Sequence, residues 1–181
     1  MACIKKISVW VAFAITLVAT TAEPAWATDQ LDLSVALKTL PLLTDKIAGS
    51  VKMSIVYDPA SLDSKHDAEM IKATIDGGFE APGNIKLTAD LVSTLELQNV
   101  ANGKLAILAH GTPQADYNSI NAATSSAGVL TVSTDLECVK ANKCVLGVVS
   151  RPRVEIYYSS GAAESAHISF SPAFTMLVKQ I

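Results

Sequence analysis

Three groups of polar residues in this chain follow directly after short apolar runs, where side chains able to do chemistry collect in many α/β proteins. The groups are Tyr57-Asp58, His110-Gly111-Thr112 and Ser133-Thr134-Asp135. Together they supply two carboxylates, an imidazole, hydroxyl groups and the backbone N–H groups of predicted helix starts. Such a set is typical of a site for a small polar ligand, although ordinary turn chemistry also favours Asp, Ser and Gly after strands.

Catalysis is the first alternative for these groups. Ser133 or Thr134 with His110 and an aspartate would form a nucleophile–base–carboxylate triad, but the chain has no G-x-S-x-G elbow. Asp58, His110 and Asp135 would offer ligands to a metal, yet H-E-x-x-H and other dense ligand spacings are absent. No phosphate-binding glycine motif occurs either. The residues therefore favour binding without a metal or cofactor, and a hydrolase is the lesser alternative.

The residues between these groups predict alternating strands and helices. Short apolar or alternating runs predict strands at residues 51–57, 85–92, 104–109 and 129–133. One helix is predicted to begin at Ser64 with Asp67 as its reciprocal cap, and another at Thr112 with Pro113 in its first position. This alternation is typical of an α/β fold with a mostly parallel sheet. Parallel strands would bring the three polar groups to one edge of that sheet.

The two ends of the predicted domain carry less regular patterns. Residues 28–49 suit a helix through their leucine spacing, and their early alternation also suits a strand. Strands at 145–149 and 154–158 are joined by a turn too short for a crossover, so they predict an antiparallel hairpin. The turn carries Arg151 and Arg153, which form either a basic tip for a partner or an ordinary solvated turn.

The last segment predicts a terminal helix. Ser171 would cap it and Pro172 would occupy its first turn. The helical stripe at i, i+3, i+4 and i+7 consists of Phe174, Leu177, Val178 and Ile181. The whole prediction is a single three-layer, Rossmann-like α/β domain at residues 28–181, with a mostly parallel sheet, a C-terminal antiparallel hairpin and a terminal helix.

Residues 1–27 predict export from the cytoplasm. Lys5 and Lys6 precede an apolar run of roughly 15 residues, and Ala25-Trp26-Ala27 supplies an A-x-A cleavage site. The run is shorter than the roughly 20 residues of a spanning helix, which leaves a retained anchor as the alternative. The composition, 50% hydrophobic and 17% charged with 14 basic against 17 acidic residues, excludes a disordered chain and a nucleic-acid binder. We therefore expect a periplasmic protein.

Cysteine use agrees with this compartment. Cys3 leaves with the predicted signal, so Cys138 and Cys144 remain. An oxidising compartment makes a disulfide their expected state. Their spacing is neither the C-x-x-C of redox enzymes nor a four-ligand zinc set, so a structural link is predicted and a catalytic or metal role is the alternative.

From Lys104 onward the order of motifs resembles the YfiR/HmsC-type family of periplasmic proteins. The matching segments are KLAILA, GVLTVS, KCVLGVVS, PRVEIYY and the ending ISFSPAFTMLVKQI. The resemblance implies a non-enzymatic regulator that binds the periplasmic part of an inner-membrane signalling protein, typically a diguanylate cyclase. Cys138 and Cys144 fall where that family carries one of its disulfides. A second disulfide of some members has no cysteines here.

The amino-terminal half departs from that family. The segment VKMSIVYDPASLDSKHDAEMIKATIDGG resembles the first β-α unit of periplasmic solute-binding proteins of transporters. Two functions are therefore expected. In the first, the protein docks to an inner-membrane sensor or transporter through the cysteine loop, the hairpin and Tyr157 or Tyr158. In the second, it holds a small polar ligand at the carboxyl edge of the sheet, although a bilobal solute receptor normally has two such lobes.

Overall fold

The computed structural model of the protein describes residues 27–181. The apolar run of the predicted export signal, and all of that signal except Ala27, lies outside the described residues. Within residues 27–181 no helix combines the length and the apolar character that crossing a bilayer requires.

A seven-stranded sheet organises the described residues. The strands lie side by side in the order β2-β1-β3-β4-β5-β6-β7, and every neighbouring pair is parallel except β5–β6. Their bounds are β1 Ser50–Tyr57, β2 Lys86–Ser93, β3 Leu105–Leu108, β4 Leu130–Ser133, β5 Leu146–Val149, β6 Glu155–Tyr158 and β7 Lys179–Gln180. The α/β class, the mostly parallel sheet and the antiparallel hairpin are confirmed. The chain reverses its direction of travel across the sheet between β1 and β3, which makes this the topological switch point.

Helices cover both faces of this sheet. Their bounds are α1 Gln30–Leu37, α2 Leu62–Asp76, α3 Tyr117–Ser126, α4 Leu136–Lys140, α5 Ser160–Ser165 and α6 Pro172–Leu177. One apolar core joins one sheet face to residues of α1, α2, α5 and α6, and a second core joins the other face to α3 and α4. Alternate residues of a strand point to opposite faces, so β1 contributes Ile55 to the first core and Val56 to the second. The arrangement is the predicted three-layer fold.

Helix α2 begins earlier than the sequence predicts. Its N-cap is Ser61, whose side chain accepts a hydrogen bond from the Ser64 N–H. Ser64 is therefore inside the helix, and Asp67 is a buried residue of its inner face instead of a cap. The predicted inner stripe of Ala68, Ile71 and Ile75 is confirmed, since all three are buried in the first core.

The carboxyl-terminal helix is shorter than its apolar periodicity predicts. Helix α6 ends at Leu177, Val178 is extended, and Lys179–Gln180 forms β7 against β6. Phe174 is buried and packs on Phe170 and Tyr158, whereas Leu177 is exposed. The Lys179 ammonium pairs with Glu155 on β6 at 2.6 Å. Hydrogen bonds from Lys179, Tyr157 and Arg153 lower the pKa of Glu155 to about 2. Pairing with the sheet edge thus replaces the last helical turn.

The predicted link between Cys138 and Cys144 is present as a disulfide with a Cα–Cα distance of 5.3 Å. It joins α4 to the start of β5, and both cysteines are buried in the second core. A Cβ atom on Gly147 of β5 would come within 2.8 Å of α4 side chains, Leu136 and Val139. The absence of a side chain at Gly147 therefore allows the disulfide-linked helix to lie directly on the sheet.

Candidate functional site

The carboxyl ends of β1, β3 and β4 lie side by side at one edge of the sheet, because these neighbouring strands are parallel and in register. This edge, called here the carboxyl edge, carries the three polar groups that the sequence singles out. They are Tyr57-Asp58 at the end of β1, His110-Gly111-Thr112 after β3 and Ser133-Thr134-Asp135 at the end of β4. The first two groups flank the switch point, where ligands of doubly wound proteins bind.

The buried carboxylate of Asp67 connects three chain segments at the carboxyl edge through hydrogen bonds. The side chain projects from α2 and the residue is 3% exposed. Its Oδ2 atom accepts a 2.7 Å hydrogen bond from the backbone N–H of His110 and a 3.0 Å bond from the Thr28 hydroxyl. Its Oδ1 atom accepts a 2.7 Å bond from the Thr28 N–H. The Thr28 hydroxyl also lies 3.1 Å from that of Thr134. One carboxylate thus joins α2, the β3 loop and the chain before α1.

A second set of contacts, beside the switch point, joins the loops after β1 and β3 to the first turn of α2. Ser64 Oγ accepts a hydrogen bond from the Asp58 N–H and lies 3.4 Å from Thr112 Oγ1. The Thr112 hydroxyl donates to the carbonyl oxygen of Ala109 at 2.7 Å. The prediction that Thr112 caps a helix is wrong, because a short 3-10 turn at residues 114–116 intervenes before α3. Thr112 instead stabilises the tight turn that leaves β3.

Gly111 allows this close packing. Its φ angle is +77°, in the left-handed region that glycine adopts without strain. A Cβ atom at this position would lie 3.5 Å from the backbone nitrogen of Ser64 and 3.6 Å from Ser61 Oγ. The β3 loop therefore lies against the first turn of α2, and a larger residue at Gly111 would strain the backbone.

The β4 loop is fixed by Asp135. Its carboxylate accepts a hydrogen bond from the Glu137 N–H at the start of α4 and a 2.8 Å bond from the Tyr117 hydroxyl of α3. Ser133 Oγ accepts from the Asp135 N–H. Burial and the hydrogen bond to Asp135 raise the pKa of Tyr117 above its usual range. Asp135 is thus an anchor for two helices, and each of its carboxylate oxygens accepts one of these hydrogen bonds.

The hydroxyl groups of the candidate triad are engaged with other partners. Ser133 Oγ bonds the Asp135 N–H, and Thr134 Oγ1 lies against Thr28. The hydrogen bonds made within residues 27–181 include none from either hydroxyl to the His110 imidazole. The same part of the chain contains no grouping of three or more His, Cys, Asp or Glu side chains suited to a metal ion. Asp58, His110 and Asp135 share an edge without forming such a cluster.

The hairpin turn also reaches the carboxyl edge, because β5 runs parallel to β4. Arg151 pairs with Asp29 at 2.9 Å, and Arg153 pairs with Glu155 of β6. Burial would raise the pKa of Asp29, but the Asp32 N–H and the Arg151 guanidinium lower it on balance. Both arginine side chains remain mostly exposed, so each pair contributes little to stability. Both arginines of the turn are therefore paired with carboxylates.

Sequence reasoning missed three residues of this site: Thr28, Asp67 and Tyr117. A signal for Asp67 existed, since a carboxylate four residues before Ile71 falls on the inner stripe of α2. Thr28 and Tyr117 gave no such signal, because their partners lie 39 and 18 residues away in the sequence.

A separate cavity of about 450 Å³ lies at the opposite edge of the sheet, lined in part by Ser50, Lys104 and Gly128.

No protein-family model matches the chain, and no curated protein sequence matches it. Solved structures that share its fold include the following two. One is described as the ABC domain in complex with L-Trp from Streptococcus pneumonia, with a TM-score of 0.56, 12% identity and coverage of 80% of this chain. The other is a conserved domain protein from Vibrio cholerae O1 biovar El Tor, with a TM-score of 0.56, 13% identity and coverage of 82%.

These similarities concern the α/β fold. This chain spans 58% of the length of each of the two structures. The resemblance of the first β-α unit to solute-binding proteins and the resemblance to the YfiR/HmsC-type family both stay predictions.

Proposed function

We propose that this chain is an exported, non-enzymatic binding protein that holds a small polar ligand at the carboxyl edge of its sheet, beside the switch point between β1 and β3. One observation carries the proposal. Asp58, His110, Thr134 and Asp135 lie on neighbouring loops at this edge, and each is neither buried nor fully exposed. These residues are thus positioned by the fold and remain partly accessible to solvent.

The hydrogen bonds beneath these residues support binding. Asp67 and Ser64 fix the loops after β1 and β3 to α2, and Asp135 fixes the loop after β4 to α3 and α4. Loops held in this way lose little conformational entropy when a ligand binds, which favours affinity. The carboxylates of Asp58 and Asp135 complement an amino group, whereas the His110 imidazole can accept or donate a hydrogen bond.

The proposed ligand is therefore a small molecule that carries an amino group and a hydrogen-bonding partner for His110. The L-Trp of the pneumococcal structure carries an amino group of this kind. The proposed periplasmic location is supported by residues 1–27 of the sequence and by the disulfide, since disulfides persist in oxidising compartments.

Titration with the twenty amino acids and small diamines, followed by calorimetry and thermal unfolding, tests this proposal. We expect at least one of these ligands to raise the unfolding temperature in proportion to its occupancy. Asp58→Asn and His110→Ala should each weaken its binding about tenfold or more, because hydrogen bonds to charged groups contribute about 1.5–3 kcal/mol.

Asp76→Asn is the matched control, since it makes the same charge change at the exposed carboxyl end of α2, remote from the carboxyl edge. The affinity of Asp76→Asn for the ligand should equal that of the unmodified protein. Equal affinity in Asp58→Asn, His110→Ala and Asp76→Asn would refute the placement of the site. Lack of binding throughout the panel would refute an amino ligand.

Docking to the periplasmic part of an inner-membrane sensor or transporter is the second candidate function. The observation that favours it is the exposure of two leucines at the carboxyl edge, Leu62 at 84% and Leu95 at 81%. Leu62 begins α2 after β1, and Leu95 follows β2, so both lie on the same side of the switch point. Apolar surface rimmed by polar groups is typical of protein contact sites.

Photo-crosslinking in the intact cell envelope tests this candidate. A crosslinker placed at Leu62 should trap an integral membrane protein, and Leu62→Lys combined with a crosslinker at Leu95 should reduce that product about tenfold. Leu177→Lys is the control, because Leu177 is equally exposed but lies at the end of α6. Equal products with Leu62→Lys and Leu177→Lys would contradict docking through this edge.

A further inference from the structure

Asp67 is a buried carboxylate for which the described chain supplies no cationic side chain. The residue is 3% exposed, and none of the ion pairs formed within residues 27–181 includes it. Its three hydrogen-bond donors are the N–H and hydroxyl of Thr28 and the N–H of His110. Neutral donors offset only part of the cost of burying a charge. A positive charge at this point would stabilise the folded protein.

The Thr28 nitrogen is the donor best placed to supply that charge. It lies 2.7 Å from Asp67 Oδ1, and the residue is 8% exposed. Ala27, one residue earlier, is exposed. The chain therefore enters the buried network at the peptide bond between Ala27 and Thr28.

The same bond is marked independently by the sequence. Ala25-Trp26-Ala27 is an A-x-A motif after an apolar run, and signal peptidases cleave immediately after such a motif. Cleavage adds one water across the Ala27–Thr28 amide. The carboxylate remains on Ala27 of the released leader, and the freed Thr28 amine takes up a proton to become an α-ammonium group.

We propose that a leader-cleaving signal peptidase hydrolyses the Ala27–Thr28 bond and that the α-ammonium group of Thr28 then forms a buried ion pair with Asp67. The amide donor becomes a charged donor at the same position, so attraction between two full charges adds to a hydrogen bond that the carboxylate already strengthens. Burial strengthens the pair further, because the surroundings screen it less than water does.

The pair also acts on the carboxyl edge. Asp67 holds the His110 N–H, and the Thr28 hydroxyl contacts Thr134, so processing tightens the loops after β3 and β4 together. The mature amino terminus is then part of the folded structure. This inference concerns processing and stability, and it holds whether or not the edge binds a ligand.

The first test determines the residue at which the exported protein begins. The full chain is expressed with its own leader in a Gram-negative host, and the envelope fraction is analysed by intact mass and amino-terminal sequencing. We expect the chain to begin at Thr28. A chain that begins at any other residue would overturn the proposal.

The second test compares two forms of the protein, one beginning at Thr28 and one beginning at Ala27. They carry the same formal charges, but in the longer form the Thr28 nitrogen is an amide and the ammonium group lies one residue further out. We expect the folding equilibrium constant of the Thr28 form to be about tenfold larger. Asp67→Asn, made in both forms, should abolish this difference. Equal constants, or a difference that persists in Asp67→Asn, would overturn the ion pair.

Periodate oxidation provides a readout that does not require Asp67→Asn to fold. Periodate cleaves the amino alcohol of an amino-terminal threonine, so it reports on the accessibility of the Thr28 amine. We expect oxidation of the native Thr28 form to be at least tenfold slower than oxidation of the same protein in denaturant. Equal rates would show that the amine is free in solution and would overturn the proposal.

Discussion

Asp67→Ala is expected to lower the free energy of unfolding by about 3 kcal/mol. The substitution removes the acceptor of the Thr28 N–H, the Thr28 hydroxyl and the His110 N–H while these donors remain largely buried. A buried donor without an acceptor costs about 1–3 kcal/mol, and water entering the space left by the carboxylate recovers part of the total. Urea denaturation followed by circular dichroism measures the loss as a lower midpoint at an unchanged slope.

Asp76→Ala, in the same helix, is the control for Asp67→Ala. Asp76 is exposed and pairs with Lys72 at 2.7 Å. Exposed pairs of this kind contribute about 0.2–1 kcal/mol, so this substitution should change stability by less than about 1 kcal/mol. Similar losses in the two variants would contradict the conclusion that Asp67 organises the carboxyl edge.

Ile107→Ala is expected to lower the free energy of unfolding by about 3–4 kcal/mol. Ile107 lies in the central strand β3, is 2% exposed, and stands in register with Ile55 of β1 and Val132 of β4. All three belong to the apolar core beneath α1 and α2. Truncation loses the transfer free energy of the side chain and leaves a cavity that two β-branched neighbours fill poorly.

Leu177→Ala is the matched control for this substitution, since Leu177 is 85% exposed. Its truncation should change stability by less than about 0.5 kcal/mol. Thermal unfolding of both variants is sufficient for the comparison. A loss below about 1 kcal/mol in Ile107→Ala would mean that the core recloses around the gap, which would contradict a tightly packed centre of the sheet.

The apolar pattern was sufficient for most of the fold. The runs that become β3 and β4 are buried along their whole length, as expected for central strands covered on both faces. The inner stripe of α2 and the hairpin of β5 and β6 were predictable for the same reason, because burial requires a period that a short stretch of sequence displays. The disulfide between Cys138 and Cys144 was predictable from the cysteine count and the expected compartment.

Errors arose where a local pattern competed with a distant partner. The stripe of Phe174, Leu177, Val178 and Ile181 suits a helix, but pairing of Lys179–Gln180 with β6 ends that helix at Leu177. Ser64 and Asp67 suit a capping box, but Ser61 caps α2 and Asp67 binds Thr28 and His110 instead. The end of α6 and the role of Asp67 were thus decided by residues more than 20 positions away, whereas the start of α2 was decided by Ser61, a neighbouring cap.

The candidate site was predictable in its position and not in its hydrogen bonds. Polar groups after β1, β3 and β4 had to meet at one edge once the strands were parallel. Which of their side chains would be engaged was not predictable, because Ser133, Thr134 and Thr112 look equally available in the sequence. The structure shows all three hydroxyl groups in hydrogen bonds with nearby backbone or with Thr28.

The sequence by itself therefore determined the layers of this protein, its strand ends and its cysteine link, since hydrophobic periodicity, turn residues and cysteine spacing are local properties of a chain. Only the tertiary structure decided that Asp67 would hold Thr28 and His110. A hydrogen bond requires two groups within about 3 Å in a defined direction. Packing of α2 against the loop after β3 and the chain before α1 brings together groups 39 and 43 residues apart, and no local pattern encodes that distance.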